Sequence, residues 1–280
     1  LGMSTSYSYD PNEPMDTDAL RNMEVTVTES TEAATEDSSE EGASEDTTET
    51  TTEETKDPEK ITYDFSSMTD DEFKKTIDDL TSDQTYEALD AVWRNYCISD
   101  ILEPGSTFKP FTIAGAIEDG VVKDGDTFYC KGYEIVADGT DPIYCHNRTG
   151  DGTLTLKQAL EQSCNVALMQ IAKSEGKETF SKYQDIFNFG SQTGIDLSGE
   201  GSGLVYSEEN LNPVELATSS FGQGINVTMI QMAAAYGSVI NGGSYYEPHV
   251  VKEILNDEGS VVIGSETAVE LRGACRCGRI

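Results

Sequence analysis

The chain has 280 residues, with 18 basic against 52 acidic side chains, a formal net charge of -34 and a hydrophobic fraction of 36%. So large an acidic excess, with no basic stripe to hold phosphates, argues against nucleic acid as a partner. No run of about 18 apolar residues is present to span a bilayer as a helix, and no signal peptide is visible.

Residues 1–10 alternate small or polar residues with Met and Tyr and read as a strand, followed by a Pro11-Asn12 turn. The chain starts inside that strand without an initiating methionine, so it reads as an internal piece of something longer. Glu24 to Glu59 is almost wholly Thr, Ser, Glu and Asp. Such a tract has too little apolar surface to offset its conformational entropy, and its charges repel one another. It is predicted to be a disordered, solvated linker or surface loop, with a specific binding tail as the alternative. Beyond it, Phe73, Ile77 and Leu80 recur at helical spacing, and Thr69 with Glu72 forms a capping-box pattern.

A helix is predicted from Gly105 to Gly120, with Pro110 close enough to its start to be tolerated. Cys130 and Cys145 flank a stretch that reads as a hairpin. "GTLTLKQALEQSCN" reads as a short helix running into a break. "VALMQIAKSEG" and "KETFSKYQDIFNFG" read as helices closed by Gly176 and Gly190. After a Gly/Ser-rich loop to Pro213, a buried helix follows, with Thr228 as N-cap and Gly242-Gly243 as its stop. A final hairpin turns at Asn256 to Gly259. Helices between strands at the two chain ends indicate an α+β class, with helices packed on an antiparallel sheet.

The six cysteines show no zinc-binding spacing, since Cys275 and Cys277 stand too close for a C-x-x-C knuckle. Across the expected hairpin, Cys130 and Cys145 are a candidate disulfide in an oxidising compartment; the alternative is two reduced, half-buried thiols. His146 and His249 have no ligand company, so no metal and no cofactor is expected. Cys164 reads as a small buried thiol. Gly222-Gln223-Gly224 lacks the third glycine and preceding strand of a dinucleotide fingerprint and reads as a tight turn beside a cleft, a candidate substrate-binding position.

In "EPGSTFKPFT", Ser106 and Lys109 share one helix face at i and i+3. Pro104-Gly105 puts Ser106 at a helix N-terminus, where unpaired N–H groups favour developing negative charge. A serine hydroxyl needs a base, and a lysine can serve once burial lowers its pKa. Further on, "QSCNVA" offers Ser163 as a proton relay and Asn165 as an amide to hold substrate and lysine. Either motif alone is common; in this order, both at helix ends, they have weight.

"EPGSTFKPFT", "LTLKQALEQSCNVALMQIA", "TGIDLSGEGSG" and "FGQGINVTMIQMAAAYGSVINGG" resemble, in order, the transpeptidase domain of class B penicillin-binding proteins. The resemblance covers roughly residues 86–255 and the first strand. It implies a penicillin-binding transpeptidase or serine β-lactamase-like fold. Residues 1–20 would hold the first strand, 21–85 an acidic insertion with a helical end, 86–263 the core and 264–280 a truncated or aberrant tail. It implies that Ser106 is acylated by D-Ala-D-Ala stem peptides of peptidoglycan or by β-lactam antibiotics. Lys109 would be the base, Ser163 the proton shuttle and Asn165 the orienting group, with the Ser106 N–H in the oxyanion hole. It also implies the extracytoplasmic face of the bacterial membrane, an anchor outside this chain, and a division or elongation complex as company.

Two departures stand out. No K-T-G or K-S-G triplet occurs between Ser163 and Ile280, and Asp151 stands where the family commonly has the histidine of a Gly-His-Gly. The missing strand would supply the second oxyanion donor, and such a donor is worth about 10²–10³ in rate. The chain alone is therefore expected to be nearly inactive. The competing expectations are a D,D-carboxypeptidase or β-lactam hydrolase on the same fold, and a non-catalytic binding scaffold.

Overall fold

The computed structural model describes residues 13–28, 59–256, 259 and 261–264. The chain divides into two compact units between Arg94 and Asn95.

In the first unit, strand β1 (Glu24–Thr28) pairs antiparallel with β2 (Lys60–Asp64), Val25 opposite Tyr63 and Val27 opposite Ile61. Helices α1 (Asp70–Asp79) and α2 (Ser82–Trp93) follow. Each opens on a capping box, Thr69 with Glu72 and Thr81 with Gln84, which pairs N–H groups that a helix start leaves unpaired. Val25 and Val27 bury one face of β1 among Leu20, Met23, Phe65, Phe73, Leu89 and Val92.

Glu24–Thr28 thus corrects the prediction of disorder for that segment. The acidic composition of the whole tract masks a five-residue alternation, EVTVT, whose β-branched residues suit a half-buried strand. Within 1–20, the described part is not a strand either: Thr17–Leu20 is a single 3-10 turn capped by the Asp16 side chain. The strand predicted at 1–10, residues 29–58 of the acidic tract and the tail from residue 265 lie outside the described residues.

The second unit carries α3 (Tyr96–Ser99), β3 (Ile101–Leu102), α4 (Lys109–Glu118) and β4 (Thr127–Cys130). Then come β5 (Tyr133–Glu134), β6 (Ile143–Tyr144), β7 (Gly152–Thr155) and α5 (Leu156–Glu161). Helices α6 (Asn165–Glu175), α7 (Lys177–Ile186) and α8 (Pro213–Ser219) precede β8 (Val227–Thr228) and α9 (Met229–Ile240). The expected last hairpin is β9 (Glu253–Leu255) with β10 (Val261–Gly264). Among the described residues the strands form five two-stranded antiparallel pairs, so the α+β class holds with short ladders in place of one broad sheet.

Helix α4 is the hub. It is buried from Phe111 through Ala116 and packs on α6 and α7. One apolar cluster gathers around α6, from Ile113 and Ala116 to Leu168 and Ile171. A second is aromatic, with Phe108, Phe111, Phe180, Phe187 and Phe189. No helix among the described residues is long and apolar enough to cross a membrane.

Candidate active site

Ser106 lies in a 3-10 turn, Gly105–Phe108, that leads directly into α4. Gly105 takes a φ of +53°, a left-handed conformation open to glycine at little cost. Pro110, near the start of α4, removes a donor that the first turn does not need. Phe108 anchors the turn in the aromatic cluster, its ring 4.9 Å from that of Phe189, and Phe111 meets Tyr236 at 4.8 Å. With Phe108 fixed inward, Ser106 stays exposed while Lys109 is buried, 1% accessible.

Facing Lys109 is the break between α5 and α6. Ser163 adopts a φ of +52°, which is strained for a residue with a Cβ. Cys164 is the N-cap of α6, its sulfur accepting the Ala167 N–H at 3.5 Å. This reversal turns three oxygens toward one nitrogen. Lys109 Nζ donates to Ser163 O at 2.6 Å, Ser163 Oγ at 2.8 Å and Asn165 Oδ1 at 2.7 Å. Ser163 Oγ lies 2.9 Å from Ser106 Oγ. Burial pushes the lysine down to about 8, opposed in part by the nearby Cys145 and Cys164 sulfurs. The four residues predicted to act together are therefore joined by hydrogen bonds, with Ser163 linking the Ser106 hydroxyl and the Lys109 amine. Once Lys109 is neutral, both hydroxyls can rotate and pass the Ser106 proton through Ser163 to nitrogen. The 3-10 turn also leaves the Ser106 N–H without an intrahelical acceptor.

The nucleophile turn is held from outside by contacts the sequence did not disclose. Gly105 N donates to Gly222 O at 2.9 Å, Gly224 N to Glu103 Oε1 at 2.9 Å and Tyr236 Oη to Thr107 O at 2.6 Å. Gly222 has a φ of +80°, and a Cβ there would stand 2.2 Å from Gly105 O. Of the three candidate substrate-binding positions, Gly222 is buried against this backbone, whereas Gln223 and Gly224 are exposed.

The candidate disulfide is corrected. Cys130 and Cys145 are free thiols, both fully buried rather than half-buried. The reason is strand pairing. Cys130 ends β4 and sits opposite Gly152 of β7, while the hairpin of β5 and β6 ends at Tyr133 opposite Tyr144, so the two cysteines are not cross-strand partners. The sulfurs of Cys130, Cys145 and Cys164 nevertheless lie within 4.8 Å of one another, and those of Cys145 and Cys164 are 3.9 Å apart.

Residues 44–273 match the family model described as the penicillin binding protein transpeptidase domain. The chain belongs to this family, and to its class B type. Stage V sporulation protein D of Bacillus subtilis is 44% identical over 164 residues, 58% of this chain and 25% of that protein. The peptidoglycan D,D-transpeptidase FtsI of Escherichia coli K12 is 31% identical over 159 residues, 57% of this chain and 26% of that protein. Among solved structures, the apo transpeptidase domain of penicillin-binding protein 3 from Burkholderia pseudomallei is similar with a TM-score of 0.53 and 28% identity, covering 60% of this chain and 49% of that one. The chain spans about a quarter of the length of these two curated relatives. Ser106, Lys109, Ser163 and Asn165, which hydrogen bonds join, all lie within the matched residues.

Proposed function

We propose that this chain supplies the acyl-enzyme centre of a peptidoglycan D,D-transpeptidase. Ser106 Oγ attacks the D-Ala-D-Ala carbonyl of a stem peptide. Its proton passes through Ser163 to Lys109 and on to the leaving D-Ala nitrogen as the C–N bond breaks. An amine of a neighbouring stem peptide then attacks the ester, and Ser106 regains its proton. Asn165 orients substrate and Lys109, and the Ser106 N–H receives the developing oxyanion. Gln223 and Gly224, both exposed and next to the Gly222 that packs on Gly105, would meet the substrate in this reading. The observation that carries this reading is the continuous Ser106–Ser163–Lys109 chain, with links of 2.9 and 2.8 Å. The names of the relatives agree with it, since one is a peptidoglycan D,D-transpeptidase. The reading entails the extracytoplasmic membrane face as location and a division, elongation or sporulation complex as company.

β-Lactams would acylate the same oxygen. Incubation with benzylpenicillin followed by intact-mass and peptide analysis is expected to give one adduct on Ser106, absent in Ser106→Ala. The lack of a K-T-G or K-S-G triplet favours slow acylation by this chain alone. Rapid turnover of the adduct would point to a hydrolase. No adduct at any time would sink the acyl-enzyme reading in favour of a binding scaffold.

A further inference from the structure

Three buried thiols and a carboxylate converge behind the catalytic turn. Cys130 closes β4, Cys145 follows β6, Asp151 precedes β7 and Cys164 caps α6. One ligand atom from each lies within 4.8 Å of all the others. The cysteines are 2%, 3% and 0% exposed, respectively. We propose that Cys130, Cys145, Cys164 and Asp151 bind one zinc ion as a closed, tetrahedral structural site.

The distances fit. Two sulfurs on one tetrahedral zinc stand about 3.8 Å apart for Zn–S bonds near 2.3 Å. The Cys145 and Cys164 sulfurs are 3.9 Å apart, so metal binding requires little movement there. Asp151 gives a second, independent indication. Its Oδ1 accepts from Asn147 Nδ2 at 2.7 Å, while Oδ2 is buried with no hydrogen-bond partner. A buried carboxylate oxygen left so is costly, and a cation resolves it. Outer partners suited to ligands are also in place. Asn147 fixes the carboxylate, and the Ala167 N–H points at the Cys164 sulfur.

Three thiolates with one carboxylate in a small tetrahedral space select zinc over magnesium or calcium, which take hard oxygen ligands in larger shells. Four protein ligands leave no open position, so the ion takes no part in acyl transfer. Binding releases three thiol protons to solvent. The effect on the site comes through Cys164, which lies between the two residues that hold Lys109. A metal bond there ties the strained Ser163 turn to β4 and β7.

The test is metal content and spectroscopy of the full 280-residue chain, prepared anaerobically. One zinc per chain is expected. Replacement by Co²⁺ should give a thiolate-to-cobalt charge-transfer band of three-thiolate intensity with tetrahedral ligand-field bands. Cys130→Ser, Cys145→Ser and Cys164→Ser should each lose the bound zinc, and Asp151→Asn should weaken it. Cys97→Ser and the double change Cys275→Ser, Cys277→Ser should leave the stoichiometry at one. Should the cluster variants fail to fold, the cobalt spectrum of the unaltered chain still decides, because its intensity counts thiolates. The proposal is overturned by zinc that survives loss of the three cluster cysteines. It is overturned equally by no cobalt charge-transfer band in fully reduced protein, or by a disulfide within the cluster in protein containing no metal. None of these readouts uses penicillin or peptide, so failure here leaves the acyl-enzyme reading standing, and the reverse holds too.

Discussion

Lys109 has three ammonium hydrogens, and each meets an oxygen, on Ser163 twice and on Asn165 once. That arrangement holds the charged form, yet the amine must be neutral to draw the Ser106 proton. With burial bringing the lysine down to about 8, roughly a tenth of it is neutral at pH 7. The rate of Ser106 acylation by a β-lactam is therefore expected to rise with pH and to level off above about 8, read by stopped-flow or timed mass spectrometry. Lys109→Arg keeps the charge and cannot shed it, so acylation should fall by at least about 100-fold. A flat pH profile in the unaltered chain would remove Lys109 from the base role. Glu175 shows the opposite case of a buried acid. Both carboxylate oxygens are buried without partners, and burial, reinforced by Asp119, raises its pKa from 4.5 to about 8. The folded state keeps this proton while the unfolded chain releases it, so stability is lost as pH climbs from 4.5 through 8. Glu175→Gln should stabilise the fold by about 1–3 kcal/mol at pH 7 and by far less at pH 5. Equal shifts in melting temperature at the two pH values would contradict this account.

At the scale of elements, the nucleophile turn and the loop after α8 support each other through Gly222 and Gly105. Gly222→Ala forces a Cβ to 2.2 Å from the Gly105 carbonyl oxygen at a φ of +80°. Backbone must move, at a cost of about 1–3 kcal/mol, and what moves is the segment carrying Ser106. Melting temperature and acylation rate should fall together; a normal acylation rate in a destabilised protein would show that the contact supports only the fold. The same elements show which parts of the structure were legible in sequence. Ser106 with Lys109 could be read because an i, i+3 pair behind Pro-Gly is a local pattern, and Thr69, Thr228 and their capping partners are local too. Cys130, Cys145, Asp151 and Cys164 could not be read as a cluster, because β4 reaches past the hairpin to pair with β7, and no spacing encodes that. The contact of Gly222 with Gly105 is non-local for the same reason. Helix α8 starts at Asn212-Pro213, where the Asn212 side chain caps the Val214 and Glu215 N–H groups; the sequence reading assigns no element there, although that cap is a local signal.

For the whole molecule, the division between Arg94 and Asn95 separates cores as well as chain segments. The first unit has its own cluster around Leu20, Val27, Phe65, Phe73 and Leu89, and the second has the two clusters that sandwich α4. Separate cores can melt separately, and two sets of residues report on them without requiring activity. Trp93 is the single tryptophan of the chain; its indole N–H donates to Pro14 O at 2.9 Å and its ring meets Tyr86 edge-on, so its fluorescence follows the first unit. Cys130, Cys145 and Cys164 are buried in the second unit, so their alkylation, resolved by peptide mass spectrometry, follows that one. In a urea titration the two readouts are expected to give different midpoints, since coincident transitions are the mark of a single cooperative unit. Zinc sharpens the comparison. Added metal should raise the thiol midpoint, because it binds only the folded second unit, and should leave the Trp93 midpoint where it was. If both midpoints coincide and move together with zinc, the two units fold as one.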